Sequence, residues 1–286
     1  MTDAPALLRL SAFAADPTGG NPAGVVLDAA TLDDAEMQRI AAEVGYSETA
    51  FAVPMSSVAD ERRFGLRYFS PIAEVPFCGH ATVATAVALA ERDGPGPLAF
   101  ETPVGTVLID TRDAEGVVTA SFTSVDPWVG PIHEDVLGRL LGLLGVQEDV
   151  LRDDLPPRIA FAGNRHPVVV FSRPADFDAF TFDPSALRAL MDEQGWSGTV
   201  TTVVELGPGD FETRNLFPVG TVTEDPATGS AAAALGAYLR ELGAVQAPAR
   251  VVVRQGRHVG RPSLLLVDVP AAGGVVVTGG ATAIVS

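Results

Sequence analysis

Glu224-Asp225-Pro226-Ala227-Thr228-Gly229-Ser230-Ala231 decides the reading of this chain, because an altered copy stands earlier as Glu74-Val75-Pro76-Phe77-Cys78-Gly79-His80-Ala81. Both copies read Glu-x-Pro-x-x-Gly-(His/Ser)-Ala, and both run into small apolar residues. The match extends outward. Arg67-Tyr68-Phe69-Ser70-Pro71 answers to Arg214-Asn215-Leu216-Phe217-Pro218, and Gly20-Asn21 to Gly163-Asn164. Short repeats mean solenoids, whereas one repeat of half a chain means a duplicated domain. Different polar residues in the two copies predict two half-sites that face one ligand and supply different chemistry.

The segments after the two glycines are unusual. Ala81 to Ala90 carries no charge on any face, and Ser230 to Leu239 none before Arg240. A helix apolar all round is buried all round, so each is predicted to lie inside a wrapping sheet. Around them the pattern predicts strands at Leu7–Ala14, Val25–Leu27, Ser47–Val53, Arg63–Phe69, Leu98–Glu101, Thr106–Asp110 and Val117–Phe122. Thr31 with Asp34 resembles a capping box for a helix that Gly45 ends. Pro127–Pro131 reads as the crossing between halves, followed by a helix over His133–Leu144.

In the second half, strands are expected at Arg158–Phe161, Val168–Phe171, Val200–Leu206 and Phe211–Phe217. Asp183-Pro184 opens a helix as N-cap and first residue. Three final strands are placed near Ala249–Val253, Ser263–Val269 and Gly274–Val277, before a last apolar segment, Thr282–Val285. The expected division is an N-terminal lobe of residues 1–126 and a C-terminal lobe of residues 127–286, with two alternatives for the terminal strand 281–286: it closes its own lobe, or it crosses back to complete the first. The active site is expected in the cleft between them.

Composition excludes several classes. A 47% hydrophobic content over 286 residues promises a sizeable core rather than a disordered chain. With a net charge of −17 and no basic run, neither nucleic acid nor an anionic membrane is an expected partner. Met1 to Arg9 lacks the pattern of a secretory leader, and no apolar run reaches a membrane span, so a cytoplasmic location is expected. One cysteine, Cys78, forbids an internal disulfide and cannot support a thiolate zinc cluster. No phosphate loop, nucleophile elbow or dinucleotide fingerprint occurs, and the four histidines show no His-x-x-x-His spacing, so neither a metal nor an organic cofactor is expected.

The chemistry concentrates on the repeated turns. A helix start leaves backbone N–H groups unpaired and carries the positive end of the dipole. Gly79 and Gly229 let a ligand approach there, which suits a carboxylate or an enolate formed in reaction. The same glycines also serve close helix–sheet packing. His80 is a candidate acid/base or anion donor, or a histidine bonded to a nearby carbonyl. Asp225 matches Val75, an asymmetry that proton transfer between unlike positions would require; it equally closes a turn before Pro226. Ser230 either caps its helix or binds a ligand. Glu48 sits beside Thr49-Ala50-Phe51-Ala52-Val53, where desolvation would raise its pKa for general acid/base work, unless it points to water from an edge strand.

With these motifs, Gly20-Asn21-Pro22-Ala23-Gly24, Ser47-Glu48-Thr49-Ala50-Phe51, Arg67-Tyr68-Phe69, Cys78-Gly79-His80-Ala81-Thr82 and Glu224 to Ala231, the chain resembles the PhzF family nearly end to end. The resemblance implies an α+β, diaminopimelate epimerase-like fold: two pseudo-symmetric lobes, each a curved, mostly antiparallel sheet around a central helix. It implies a cofactor-independent, homodimeric isomerase similar to trans-2,3-dihydro-3-hydroxyanthranilate isomerase, acting on a small carboxylate-bearing substrate. Glu48 is then the proton-transferring group, with His80 and Asp225 assisting. Ser230, Gly79, Gly229, Thr228 and Asn21 bind substrate. Related epimerases use one cysteine from each half. Here Cys78 matches the first, but the second half offers only Ala227 and Thr228, so Cys78 reads as a buried small residue. A racemase or epimerase without the thiol pair, and a non-catalytic binding protein, are the alternatives.

Overall fold

The computed structural model describes residues 6–55, 62–219 and 222–285. Met1 to Pro5, where the leader reading begins, and Ser286, the end of the terminal segment 281–286, lie outside the described residues.

In chain order the first elements are β1 (Leu7–Ala12), β2 (Asn21–Val26), α1 (Asp34–Val44), β3 (Glu48–Pro54), β4 (Arg63–Phe69), β5 (Glu74–Val75), α2 (Gly79–Asp93), β6 (Gly96–Thr102), β7 (Gly105–Ala114) and β8 (Val117–Thr123). There follow β9 (Trp128–Pro131), α3 (Glu134–Leu144), β10 (Arg158–Phe161), β11 (Arg165–Phe171), α4 (Pro174–Ala179), α5 (Pro184–Gln194), β12 (Val200–Gly207) and β13 (Asp210–Val219). The last are β14 (Val222–Asp225), α6 (Gly229–Glu241), β15 (Ala249–Gln255), β16 (Ser263–Val269) and β17 (Val276–Ala283). The chain separates into two compact units: one runs to Thr123 and takes back the chain from Thr278, and the other is Ser124–Val277.

In the first unit the strands close a ring. β1 pairs with β2, β3 with β4, β6 with β7 and β7 with β8, all antiparallel. β2–β3 and β4–β6 are parallel. β17 pairs with β8 and runs antiparallel to β1, so eight strands pair edge to edge in a closed ring. A parallel neighbour requires a crossover: α1 supplies one and α2 the other. α2 packs against β1, β2, β3, β7 and β8 and is buried from His80 to Ala90. Its Ala, Val and Thr side chains are small enough for strands on all sides. Thr82 and Thr85 return their hydroxyls to the carbonyls of Cys78 and Ala81 (2.7 and 2.8 Å), so burial leaves them satisfied.

The second unit repeats the order. β9–β10, β10–β11, β12–β13 and β15–β16 are antiparallel, and β11–β12 and β13–β15 are parallel. α6 is buried from Ala231 to Leu239 and packs on β9, β10, β11 and β16. A separate core joins α3, α4 and α5 to this sheet through Leu140, Leu144, Phe177, Leu187, Met191, Phe171 and Val204. The chain therefore has the α+β architecture of two similar units, each a mostly antiparallel sheet with a buried helix.

Arg63–Phe69, Arg158–Phe161 and Ser263–Val269 are strands with the bounds read from sequence. Four details differ. The capping box belongs to Asp33 and Glu36, not Thr31 and Asp34: Glu36 N–H donates to Asp33 (2.8 Å), and the Glu36 carboxylate accepts from Asp33 N–H (3.1 Å). The longer Glu side chain reaches back where Asp34 is too short. Pro127–Pro131 is not a bare crossing, since Trp128 to Pro131 pairs with β10 and stacks Trp128 on Phe161 (5.7 Å). The Gly274–Val277 strand and the Thr282–Val285 segment each overlap one end of a single strand, β17 (Val276–Ala283), whose glycines do not break it. α4 and the short β5 and β14 are too brief to show a period.

Candidate active site

The first unit builds its polar group from two elements. Glu48 is the first residue of β3, paired in register with Ala23 of β2. Cys78 is the N-cap of α2 and His80 its second residue. Cys78 Sγ lies 3.4 Å from Glu48 Oε2 and 3.4 Å from His80 Nδ1, and His80 Nε2 lies 3.4 Å from Glu48 Oε2. The His80 side chain is 8% exposed and that of Glu48 22%. A carboxylate, a thiol and an imidazole thus touch one another at the rim of a buried helix, and the carboxylate keeps access to the outside.

The helix start beside them is open. A methyl group at Gly79 would meet only the Phe77 ring edge at 3.9 Å, so packing does not demand glycine there. Below, the Tyr68 phenol is bonded to Thr82 Oγ1 (2.7 Å), and burial pushes that phenol far up. Tyr68 is thus a fixed neutral support for the first turn of α2. Asn21 is buried at the start of β2, in register with Ala12.

In the second unit, Ser230 stands in the first turn of α6 and meets a histidine that spacing alone leaves scattered. His166 Nε2 is 3.1 Å from Ser230 Oγ. Thr199 N–H donates to His166 Nδ1 (3.0 Å), so Nδ1 is the unprotonated nitrogen and Nε2–H donates to Ser230. Burial lowers the His166 pKa to about 4, which keeps it neutral. Ser230 Oγ accepts from His166, leaving its own proton to donate. Gly198 is required here, since a methyl group would lie 2.4 Å from the His166 ring. Thr199 and Thr201 both donate to Asn215 Oδ1 (2.6 and 2.7 Å) and lock the histidine's partner.

Asp225 ends β14, and its Oδ2 accepts from Thr228 Oγ1 (2.5 Å). Gln255 Nε2 donates to the Asp225 carbonyl (2.6 Å) and to Thr228 Oγ1 (3.0 Å), while Thr228 N–H donates to Gln255 Oε1 (3.2 Å). Asp225 thus closes its turn, and the Thr228 hydroxyl proton is held inside it. Gly229 is buried behind them. Glu224 forms a buried ion pair with Arg214, whose guanidinium lies 3.8 Å from the Phe180 ring centre and donates to the Phe177 and Phe180 carbonyls.

The fold therefore gathers Glu48 with His80, and Asp225 with Thr228, while Ser230 has its own partner. Three participants escape a reading by motif. Cys78 is buried, as expected, and is the common neighbour of Glu48 and His80. His166 and Gln255 reach their sites from strands distant in sequence, and a polar residue beside an arginine at the end of an apolar strand is their only trace. The sequence arguments against metal rested on histidine spacing and the single cysteine; donor atoms of Glu48, Cys78 and His80 nonetheless lie within 4.8 Å of one another. No helix among the described residues is long and apolar enough to cross a membrane.

Residues 10–286 match the sequence model of the family described as phenazine biosynthesis-like protein. A relative named trans-2,3-dihydro-3-hydroxyanthranilate isomerase, from Pseudomonas chlororaphis, is 33% identical over 90% of this chain and 87% of its own length. The crystal structure of a PhzF family phenazine biosynthesis protein from Bacillus anthracis superposes with a TM-score of 0.83 at 26% identity, covering 98% of this chain and 96% of that one. A probable proline racemase from Agrobacterium radiobacter K84 shares the fold at 12% identity, with a TM-score of 0.63 over 96% of this chain and 90% of that one.

Proposed function

Because the chain belongs to the phenazine biosynthesis-like (PhzF) family and is an isomerase, we propose that it moves a proton within a small carboxylate-bearing substrate. Glu48 is the proton carrier. The observation that carries this reading is the contact of a reachable Glu48 carboxylate with Cys78 Sγ and His80 Nε2, each at 3.4 Å. A base must stand where a substrate carbon can approach and must hold the proton until it is returned. Glu48 meets both needs. It accepts the proton on one oxygen while His80 and Cys78 hold the other in place.

Charge that develops beside the substrate carboxylate needs fixed donors. In the first unit the open helix start at Gly79 offers backbone N–H groups; in the second, the Ser230 hydroxyl, held by His166, is a donor of the same kind. Asp225, with Thr228, shapes the turn that presents Ser230. In this reading the enzyme is a cytoplasmic homodimer that needs no cofactor. A racemase running on two thiols is disfavoured, because Thr228 stands at the second thiol's place with its hydroxyl bonded to Asp225.

The test is proton NMR in D₂O with trans-2,3-dihydro-3-hydroxyanthranilate. Wild type should take up deuterium and shift a double bond, and Glu48→Gln should lose at least on the order of 10²-fold in that rate. A Glu48→Gln enzyme that exchanges normally would remove Glu48 from the role. Absence of exchange in wild type would remove this substrate and direct the search to small amino and hydroxy acids.

A further inference from the structure

The cluster that serves proton transfer has a second chemical identity. We propose that Glu48, Cys78 and His80 form a binding site for a thiophilic divalent cation, with zinc or cadmium as the fitting ions. The argument is geometric. With Zn–S of about 2.3 Å and Zn–N and Zn–O of about 2.0–2.2 Å, a tetrahedral ion holds neighbouring donors about 3.3–3.6 Å apart. The corresponding edges here are 3.4 Å (Glu48 Oε2 to Cys78 Sγ), 3.7 Å (Cys78 Sγ to His80 Nε2) and 3.4 Å (His80 Nε2 to Glu48 Oε2). The three atoms already stand at the base of such a tetrahedron, and only small side-chain turns separate them from ligation.

The support is rigid. Glu48 is anchored in a paired strand, and Cys78 and His80 on the first turn of a helix buried along its length. Three protein ligands with a fourth, outward position match an open zinc site rather than a closed structural one. The donor set also selects the ion. A thiolate and an imidazole favour zinc and cadmium over magnesium and calcium, which take oxygen. The thiol gives up its proton on binding, and thiolate plus carboxylate then balance the charge of the ion. A bound cation would take Glu48 out of proton transfer. That consequence rests on the role proposed above for Glu48; the binding itself does not.

The experiment titrates the chelator-treated full chain with zinc chloride by calorimetry, and with cadmium chloride while following the ultraviolet cadmium–thiolate absorption. Wild type should bind one equivalent, release a proton on binding, and show the thiolate band. Cys78→Ala should lose the band and weaken zinc binding by on the order of 100-fold, one of three ligands being gone. His258→Gln is the control, because His258 Nε2 lies 2.9 Å from Asp178 in a separate polar cluster of the second unit; it should bind as wild type does. A wild-type titration without a thiolate band, or a Cys78→Ala chain that binds zinc as tightly as wild type, would overturn the site. Neither readout uses a substrate, so a failed exchange assay counts against the reaction and a failed titration against the metal site.

Discussion

The two units place different chemistry on equivalent backbone positions. Ala50 pairs with Tyr68 in the first unit as Thr201 pairs with Asn215 in the second, and Val25 pairs with Ala50 as Val168 pairs with Thr201. That register makes Thr199 the counterpart of Glu48, and His166 the counterpart of Ala23. The repeated turns add Thr228 opposite Cys78 and Ser230 opposite His80. The first unit thus carries a carboxylate, a thiol and an imidazole in contact, while the second carries hydroxyls backed by a histidine that burial keeps neutral. Duplication preserved the scaffold while the polar residues at equivalent positions diverged.

The Arg–Glu pairs before each turn give the widest contrast. Arg214–Glu224 is buried, whereas Arg67–Glu74 is about a third exposed and shares Asp34. Arg214→Ala leaves Glu224 unpaired in the interior and should cost about 3–5 kcal/mol in chemical denaturation. Arg67→Ala should cost less than about 1 kcal/mol. Equal losses would show that the two pairs are not the differently buried versions of one feature described here.

A smaller effect isolates His166. Its folded pKa of about 4 lies below the ordinary 6.5. Between those values the unfolded chain binds a proton that the folded chain refuses, so stability is full above pH 6.5 and falls as pH drops towards 4, by on the order of 3 kcal/mol. His166→Gln retains a donor for Ser230 and should flatten that part of the stability–pH curve. If the two curves run parallel, burial of His166 is not the source of the acid sensitivity.

The smallest effect concerns Ser230. Ser230→Ala removes one hydrogen bond to an anionic substrate group, worth about 1.5–3 kcal/mol, so kcat/KM should fall roughly tenfold to a hundredfold. His166→Gln should fall less in the same assay, because an amide can stand in for Nε2–H. A Ser230→Ala enzyme with unchanged kcat/KM would break the donor half of the comparison.

The residues show why the fold was more legible than the site. The charge-free runs after Gly79 and Gly229 announce buried helices, and Asp183-Pro184 announces a helix start that the structure has, with Asp183 accepting from Ser185 and Ala186 N–H. Glu48 and His80 carry their own motifs. Cys78, by contrast, looks like filler until β3 delivers Glu48 beside it, and His166 looks isolated until the register of β11 and β12 sets it beside Thr199 and within reach of Ser230. Gln255 acquires its meaning only where β15 ends against the Asp225 turn.

By itself, the sequence determined the duplication, the buried helices, most strand positions and the two repeated turns. These follow from period, composition and local capping, which act over a few residues. Only the tertiary structure decided that β17 returns to β1 and β8 to close the first ring, that Cys78 joins Glu48 and His80, and that His166 donates to Ser230. Those outcomes depend on strand register between segments far apart in the chain, where a shift of one residue turns every side chain to the opposite face.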